Sequence, residues 1–124
     1  MGTFSYPVEV AASREGPFEP VEALVDTGSL YTWLPRAVFD RLDVKPSGKR
    51  RFQTADGRIV NRNVAELVIR IDGETATTIC VLGDPGDQVL LGAYALEGVS
   101  MAADPVNERL VPMPSIPAAR GQGR

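Results

Sequence analysis

The stretch ALVDTGSLYTWLP, Ala23 to Pro35, places one acid between two apolar runs. Ala23, Leu24 and Val25 precede Asp26. Thr27, Gly28 and Ser29 follow it, and Leu30, Tyr31 and Trp33 resume the apolar pattern. Both flanks read as strand, so the four polar or small residues between them form a turn pressed toward the interior. An unpaired buried charge costs several kcal/mol, roughly 3–5 where a partner has been removed, so Asp26 needs either a partner or a chemical task.

Working outward, the preceding segment alternates. Phe4, Tyr6, Val8 and Val10 share one face and Thr3, Ser5 and Glu9 the other, the period of a half-buried strand. Gly16, Pro17 and Pro20 break the pattern before a second strand, Val21 to Val25. A third strand is expected over Leu30 to Leu34. Pro35 then suits the start of a helix, and RAVFDRL sets Val38 and Leu42 on one helical face. Asp56-Gly57 and Asp72-Gly73 each sit between strand-like arms and predict two tight hairpins, with Ala65, Leu67, Ile69 and Ile71 lining one face of the strand between them. Farther on come a loop, GDPGDQ, a short apolar run, VLLG, and a helical turn or two in AYALEG, closed by Gly98 in a left-handed cap. A last hairpin turns at Pro105-Val106-Asn107. The sum is an all-β domain of eight or nine short strands with one or two short helices, over residues 1–112. An extended or disordered tail is expected over residues 113–124.

Composition narrows the chemistry. The 124 residues hold no histidine, which excludes a Ser-His-Asp triad, a Cys-His pair and a His-ligated metal site within the chain. A single cysteine, Cys80, excludes an intrachain disulfide and a multi-cysteine metal site; in TTICVLG it reads as a small buried hydrophobe. The formal net charge of −3 and the lone basic run Lys49-Arg50-Arg51, read as a solvated loop, give no nucleic-acid surface. No apolar run of about 18 residues appears, so no membrane span is expected. The opening MGTFSYPVEV has neither the basic start nor the apolar core of a signal peptide, and a cytoplasmic location is expected.

Asp-Thr-Gly-Ser flanked by strands resembles the catalytic loop of the retropepsin-like aspartic proteases, the single-domain relatives of pepsin. Two further landmarks fall in that family's order. TADGR, Thr54 to Arg58, stands where the family has its flap, and Leu90-Leu91-Gly92 followed by AYALEG stands where it has two apolar residues, a glycine and a short helix. The resemblance spans roughly residues 3 to 112. It implies a small closed barrel, the retropepsin fold, acting as a homodimer, because such enzymes need two aspartates and this chain has one Asp-Thr-Gly.

The resemblance further implies an aspartic endopeptidase in which the two Asp26 carboxylates activate a water against a peptide or protein substrate, with no metal and no cofactor. Thr27 would bond across the dyad to the other subunit. Gly28 would bring its backbone close to the carboxylates, and Ser29 is placed to donate to the outer oxygen of Asp26. Thr54, Ala55, Asp56, Gly57 and Arg58 would close over substrate. The alternative is a module of the same fold that dimerises or binds peptides without cleaving them; a bare polar turn in an unrelated small barrel is the bland reading of the same four letters. Asp84, Asp87 and Asp104 lie in loops or beside proline and read as turn formers.

Overall fold

Residues 3–113 are described in the computed structural model, which carries nine strands and two short helices among them. The expected tail therefore falls, from residue 114 onward, outside the described residues. β1 (Phe4–Ala11) and β2 (Glu19–Val25) form an antiparallel pair with Phe4 opposite Val25. The alternation holds: Phe4, Val8 and Val10 are buried and Tyr6 is half-buried.

After the turn at Asp26–Ser29 the third strand begins later than its residues suggest, as β3 (Thr32–Pro35). Leu30 and Tyr31 are held back by other partners. The Tyr94 N–H donates to the Leu30 carbonyl at 3.0 Å, and the backbone of Gly92 lies against the Tyr31 carbonyl. Helix α1 (Arg36–Arg41) follows Pro35 and buries Val38 and Phe39. Phe39 is fully buried, so the apolar stripe is wider than the pair Val38 and Leu42.

β4 (Gly48–Gln53), β5 (Ile59–Ile71) and β6 (Glu74–Gly83) form an antiparallel meander. β7 (Leu90–Leu91) then inserts between β2 and β3, parallel to the first and antiparallel to the second. The sheet runs β1-β2-β7-β3-β6-β5-β4, and β1 pairs again with β5 through Glu9–Arg70, Val10–Ile69 and Ala11–Val68. That second pairing closes six strands into a barrel and leaves β4 outside it. Leu34, Leu67, Ile69, Ile71, Leu91 and Phe39 fill the interior. Lys49, Arg50 and Arg51 lie in β4, an outer edge strand, rather than in a loop.

Helix α2 (Ala93–Gly98) packs on β6. The left-handed position after it belongs to Ser100 (φ 58°), not to Gly98. Gly98 is needed for space, since a Cβ there would stand 2.9 Å from the Cβ of Ala76. β8 (Met101–Asp104) and β9 (Arg109–Pro112) form a separate two-stranded sheet around the expected turn.

The two Asp-Gly hairpins differ. Asp72 and Gly73 both take positive φ, 51° and 88°, as a two-residue turn requires. At the other, only Gly57 does (φ 86°). The Gly57 N–H donates to the Thr54 carbonyl at 2.9 Å and the Thr54 N–H to the Arg58 carbonyl at 2.8 Å, so this is a three-residue loop with glycine in the left-handed position. No atom lies within 4 Å of a Cβ built on Gly57. Gly57→Val should therefore cost only the backbone strain of a β-branched residue at positive φ, about 1–2 kcal/mol. Thermal melting would register that modest loss. A collapse of the fold would mean that the turn carries packing not seen here.

Candidate active site

β2 delivers Asp26 to the barrel rim, and three backbone hydrogen bonds fix the loop there. The Asp26 N–H donates to the Leu91 carbonyl at 3.0 Å, the Ser29 N–H to the Asp26 carbonyl at 3.1 Å, and the Ala93 N–H to the Ser29 carbonyl at 2.8 Å. The carboxylate Oδ1 accepts the Gly28 N–H at 3.0 Å. Asp26 is half-buried, while Thr27 and Gly28 are exposed. The apolar flanks thus press the turn against the rim of the barrel rather than inside it. Among the described residues Asp26 forms no ion pair, so its carboxylate is free for chemistry.

Ser29 does not make the bond expected of it. Its hydroxyl donates to the Tyr31 carbonyl at 2.8 Å, which shapes the turn instead of loading the Asp26 carboxylate. Thr32, missed in the sequence, is buried and accepts the Gly92 N–H on Oγ1 at 3.0 Å. The signal was a hydroxyl inside the apolar run LYTWL, which a buried strand tolerates only when the hydroxyl has a partner. Thr32 and Gly92 thereby lock the Asp26 loop to the segment leading into α2.

Above the loop stands the β4–β5 hairpin. A cleft of about 490 Å³ separates them. Asp26, Ser29, Trp33 and Leu90 line one side, Thr54, Ala55, Asp56 and Arg58 the flap side, and Gly86, Asp87 and Gln88 a wall. Trp33, Gln53 and the Gly86–Gln88 wall are cleft residues that no short motif marks. Trp33 packs edge-on to Phe52 of β4 at 5.2 Å between ring centroids, and Phe52 in turn meets Tyr31 at 5.5 Å. On its other side Asp26 borders a larger hollow of about 1120 Å³, lined by Val25, Thr27, Leu96, Met101, Val106 and Met113. Thr54, Ala55, Asp56 and Arg58 are therefore brought to one cleft with Asp26, Gly28 and Ser29; Gly57 does not line it, and Thr27 borders the hollow instead.

The flap turn carries its own charge pair. Asp56 accepts hydrogen bonds from the Thr54 hydroxyl and, at 3.0 Å, from Arg58 Nε. These bonds hold the Asp56 carboxyl down to about 2, from an ordinary 3.8. A depressed native value means that the contribution is whole above the unfolded value and fades as pH falls through about 2. The turn should stay clamped in mild acid. Hydrogen exchange at the Thr54 and Gly57 amides, corrected for its intrinsic pH dependence, should show unchanged protection from about pH 7 to about pH 5, a gradual decline once pH falls below the unfolded value, and weaker protection at neutral pH in Asp56→Asn. Loss of wild-type protection already between about pH 7 and about pH 5 would contradict the clamp. Cys80 lies away from this chemistry: it is fully buried, and burial pushes its thiol up to about 12.

A closed barrel with one Asp-Thr-Gly loop at its rim, a hairpin arched above it and a Leu-Leu-Gly segment beneath defines the retropepsin-like class of aspartic proteases. The chain belongs to the aspartyl protease family, whose model matches residues 8–95. Among solved structures the fold is similar to the solution structure of simian foamy virus (mac) protease, with a TM-score of 0.52 and 21% identity over 74% of this chain and 92% of that one. No curated protein matches the sequence.

Proposed function

We propose that this aspartyl protease domain works as a homodimeric endopeptidase, with one Asp26 from each chain at a shared two-fold site. The observation that carries the reading is the position of Asp26. It borders the cleft beneath the flap and also the apolar hollow beside Val106 and Met113, which are 88% and 43% exposed. A second copy covering that hollow would bury those side chains and set its own Asp26 beside the first.

Two adjacent carboxylates resist double ionisation and so share one proton over a range of pH. The ionised member takes a proton from a water, which attacks the peptide carbonyl carbon. The protonated member donates to the carbonyl oxygen as the tetrahedral intermediate forms. The Gly28 N–H on Oδ1 and the Ser29 bond to Tyr31 hold each carboxylate in place. Thr27, which borders the hollow, is the residue placed to reach the other subunit. Thr54 to Arg58 would cover an extended peptide, whose backbone satisfies the exposed flap and rim groups.

Dilution tests the dimer. Activity per chain should fall once the protein is diluted below its dimer dissociation constant, and sedimentation of the same samples should show dimer giving way to monomer. A monomer with undiminished activity would overturn the shared site.

A further inference from the structure

The outer half of the flap hairpin extends beyond the barrel. β5 gains its second backbone partner only at Val64, opposite Val81 of β6; from Ile59 to Asn63 it pairs with β4 alone. A two-stranded ribbon is marginal in water by itself, so side chains must hold it to the body. On β4 that tie is Phe52, packed on Trp33 and Tyr31. On β5 it is Arg62.

The Arg62 side chain is only 14% exposed. It grips Asp87 with two nearly parallel bonds, Nε to Oδ2 at 2.8 Å and Nη2 to Oδ1 at 3.2 Å, and its Nη1 lies 3.4 Å from Asp84 Oδ2. Asp84 is held from behind by Arg36 of α1 at 3.0 Å. Asp87 Oδ2 also accepts the Asp84 N–H at 2.7 Å, and the Asp87 N–H donates to the Asp84 carbonyl at 3.0 Å, so the same carboxylate shapes the turn. That turn supplies Gly86, Asp87 and Gln88 to the cleft wall and leads directly into β7, whose Leu91 carbonyl receives the Asp26 N–H. Arg62 and Asp87 are 25 residues apart in sequence, and their pairing links flap, cleft wall and the strand beneath Asp26.

We infer that Arg62 is a positioning residue: its bidentate pair with Asp87 makes the flap hairpin and the Asp84–Gln88 wall move as one body and so sets the width of the cleft. A planar, forked donor is required, because a lysine can supply the charge without the second parallel bond. The pair is largely shielded from water, so salt screens it weakly. The inference rests on the reading of the cleft as a peptide-binding site, but the coupling itself is measurable without catalysis.

The test pairs hydrogen exchange with kinetics on Arg62→Met, Arg62→Lys, Asp87→Asn and the Arg62→Met/Asp87→Asn double variant. Amides of the flap turn (54–58) and of the wall (84–88) should both exchange about tenfold faster in Arg62→Met, with β1 and β2 unchanged. Arg62→Lys should fall between Met and wild type, and the double variant should add little to either single one. On the best-cleaved octapeptide from a random library, KM should rise about tenfold with kcat changed less, because the bonds that hold Asp26 remain. Faster exchange in the wall alone, or wild-type exchange and KM in both Arg62→Met and Asp87→Asn, overturns the inference. If Arg62→Met does not fold, Arg62→Lys and Asp87→Asn carry the same comparison. Coupled exchange changes in a chain that cleaves no peptide would uphold the tie and remove the protease reading instead.

Discussion

Asp26→Asn should abolish peptide hydrolysis, by at least about 10³-fold, and leave the fold intact. The amide keeps an oxygen to accept the Gly28 N–H, and no cation among the described residues loses a partner. The side chain is half-buried at the rim, so no cavity opens. What disappears is the group that takes the proton from water. A mixing experiment sharpens the result. If chains exchange freely and each site needs both aspartates, activity at constant total protein should fall as the square of the wild-type fraction. A fall shallower than linear would mean that one Asp26 suffices in a shared site, and a linear fall that each chain acts by itself. Near-wild-type hydrolysis by the pure variant would end the aspartic-protease mechanism.

The second large effect is expected at Gly92. Its φ of −96° is open to any residue, so the requirement is space and not backbone freedom. A Cβ there would stand 2.6 Å from the Tyr31 carbonyl carbon and 2.9 Å from the Leu30 oxygen, both backbone atoms held by neighbouring hydrogen bonds. Gly92→Ala must push the Leu30–Tyr31 segment away. That strains the Gly92 N–H bond to Thr32 and the two bonds by which the start of α2 holds Ser29 and Leu30. A loss of about 3 kcal/mol, or roughly 10 °C in Tm, is expected, together with loss of hydrolysis because the Asp26 loop shifts with its support. Calorimetry and a peptide assay on the same sample decide it. A Gly92→Ala protein that melts and cleaves like wild type would mean that the segment relaxes without cost.

Much of this architecture is legible in the chain because it is local. Alternation at Phe4–Val10, the Asp-Gly turns and the run before Asp26 each depend on residues within a few positions of one another. Wherever the outcome depends on distant partners, the sequence misleads or is silent. Leu30 and Tyr31 look like strand, yet the start of α2, some sixty residues on, takes the Leu30 carbonyl, and the Ser29 hydroxyl takes that of Tyr31. Ser29 is close enough in sequence to serve Asp26, but the nearer acceptor is the Tyr31 carbonyl. Asp84 and Asp87 read as turn formers, and they are; their second task, holding Arg62, needs a strand that only the folded sheet brings near. At the flap, Asp56-Gly57 carries the letters of a two-residue turn, but Thr54 and Arg58 hydrogen-bond across it and admit a third residue.

The position of β4 outside the closed barrel has a consequence for colloidal behaviour. Closure through β1 and β5 leaves β4 outside the barrel, so its outer edge still offers unpaired backbone groups to solvent. Such an edge is a template on which another chain can add a strand, the first step toward fibrous assembly. Here it carries Lys49, Arg50 and Arg51 in succession, all exposed. An identical edge approaching it would bring like charges together at strand spacing, on whichever face it docked. Arg50 is also held, since its Nη1 donates to the Tyr31 hydroxyl at 2.7 Å and fixes one of those charges close to the strand. The basic run Lys49-Arg50-Arg51 thus acts as a guard against self-association along an edge strand that folding leaves open.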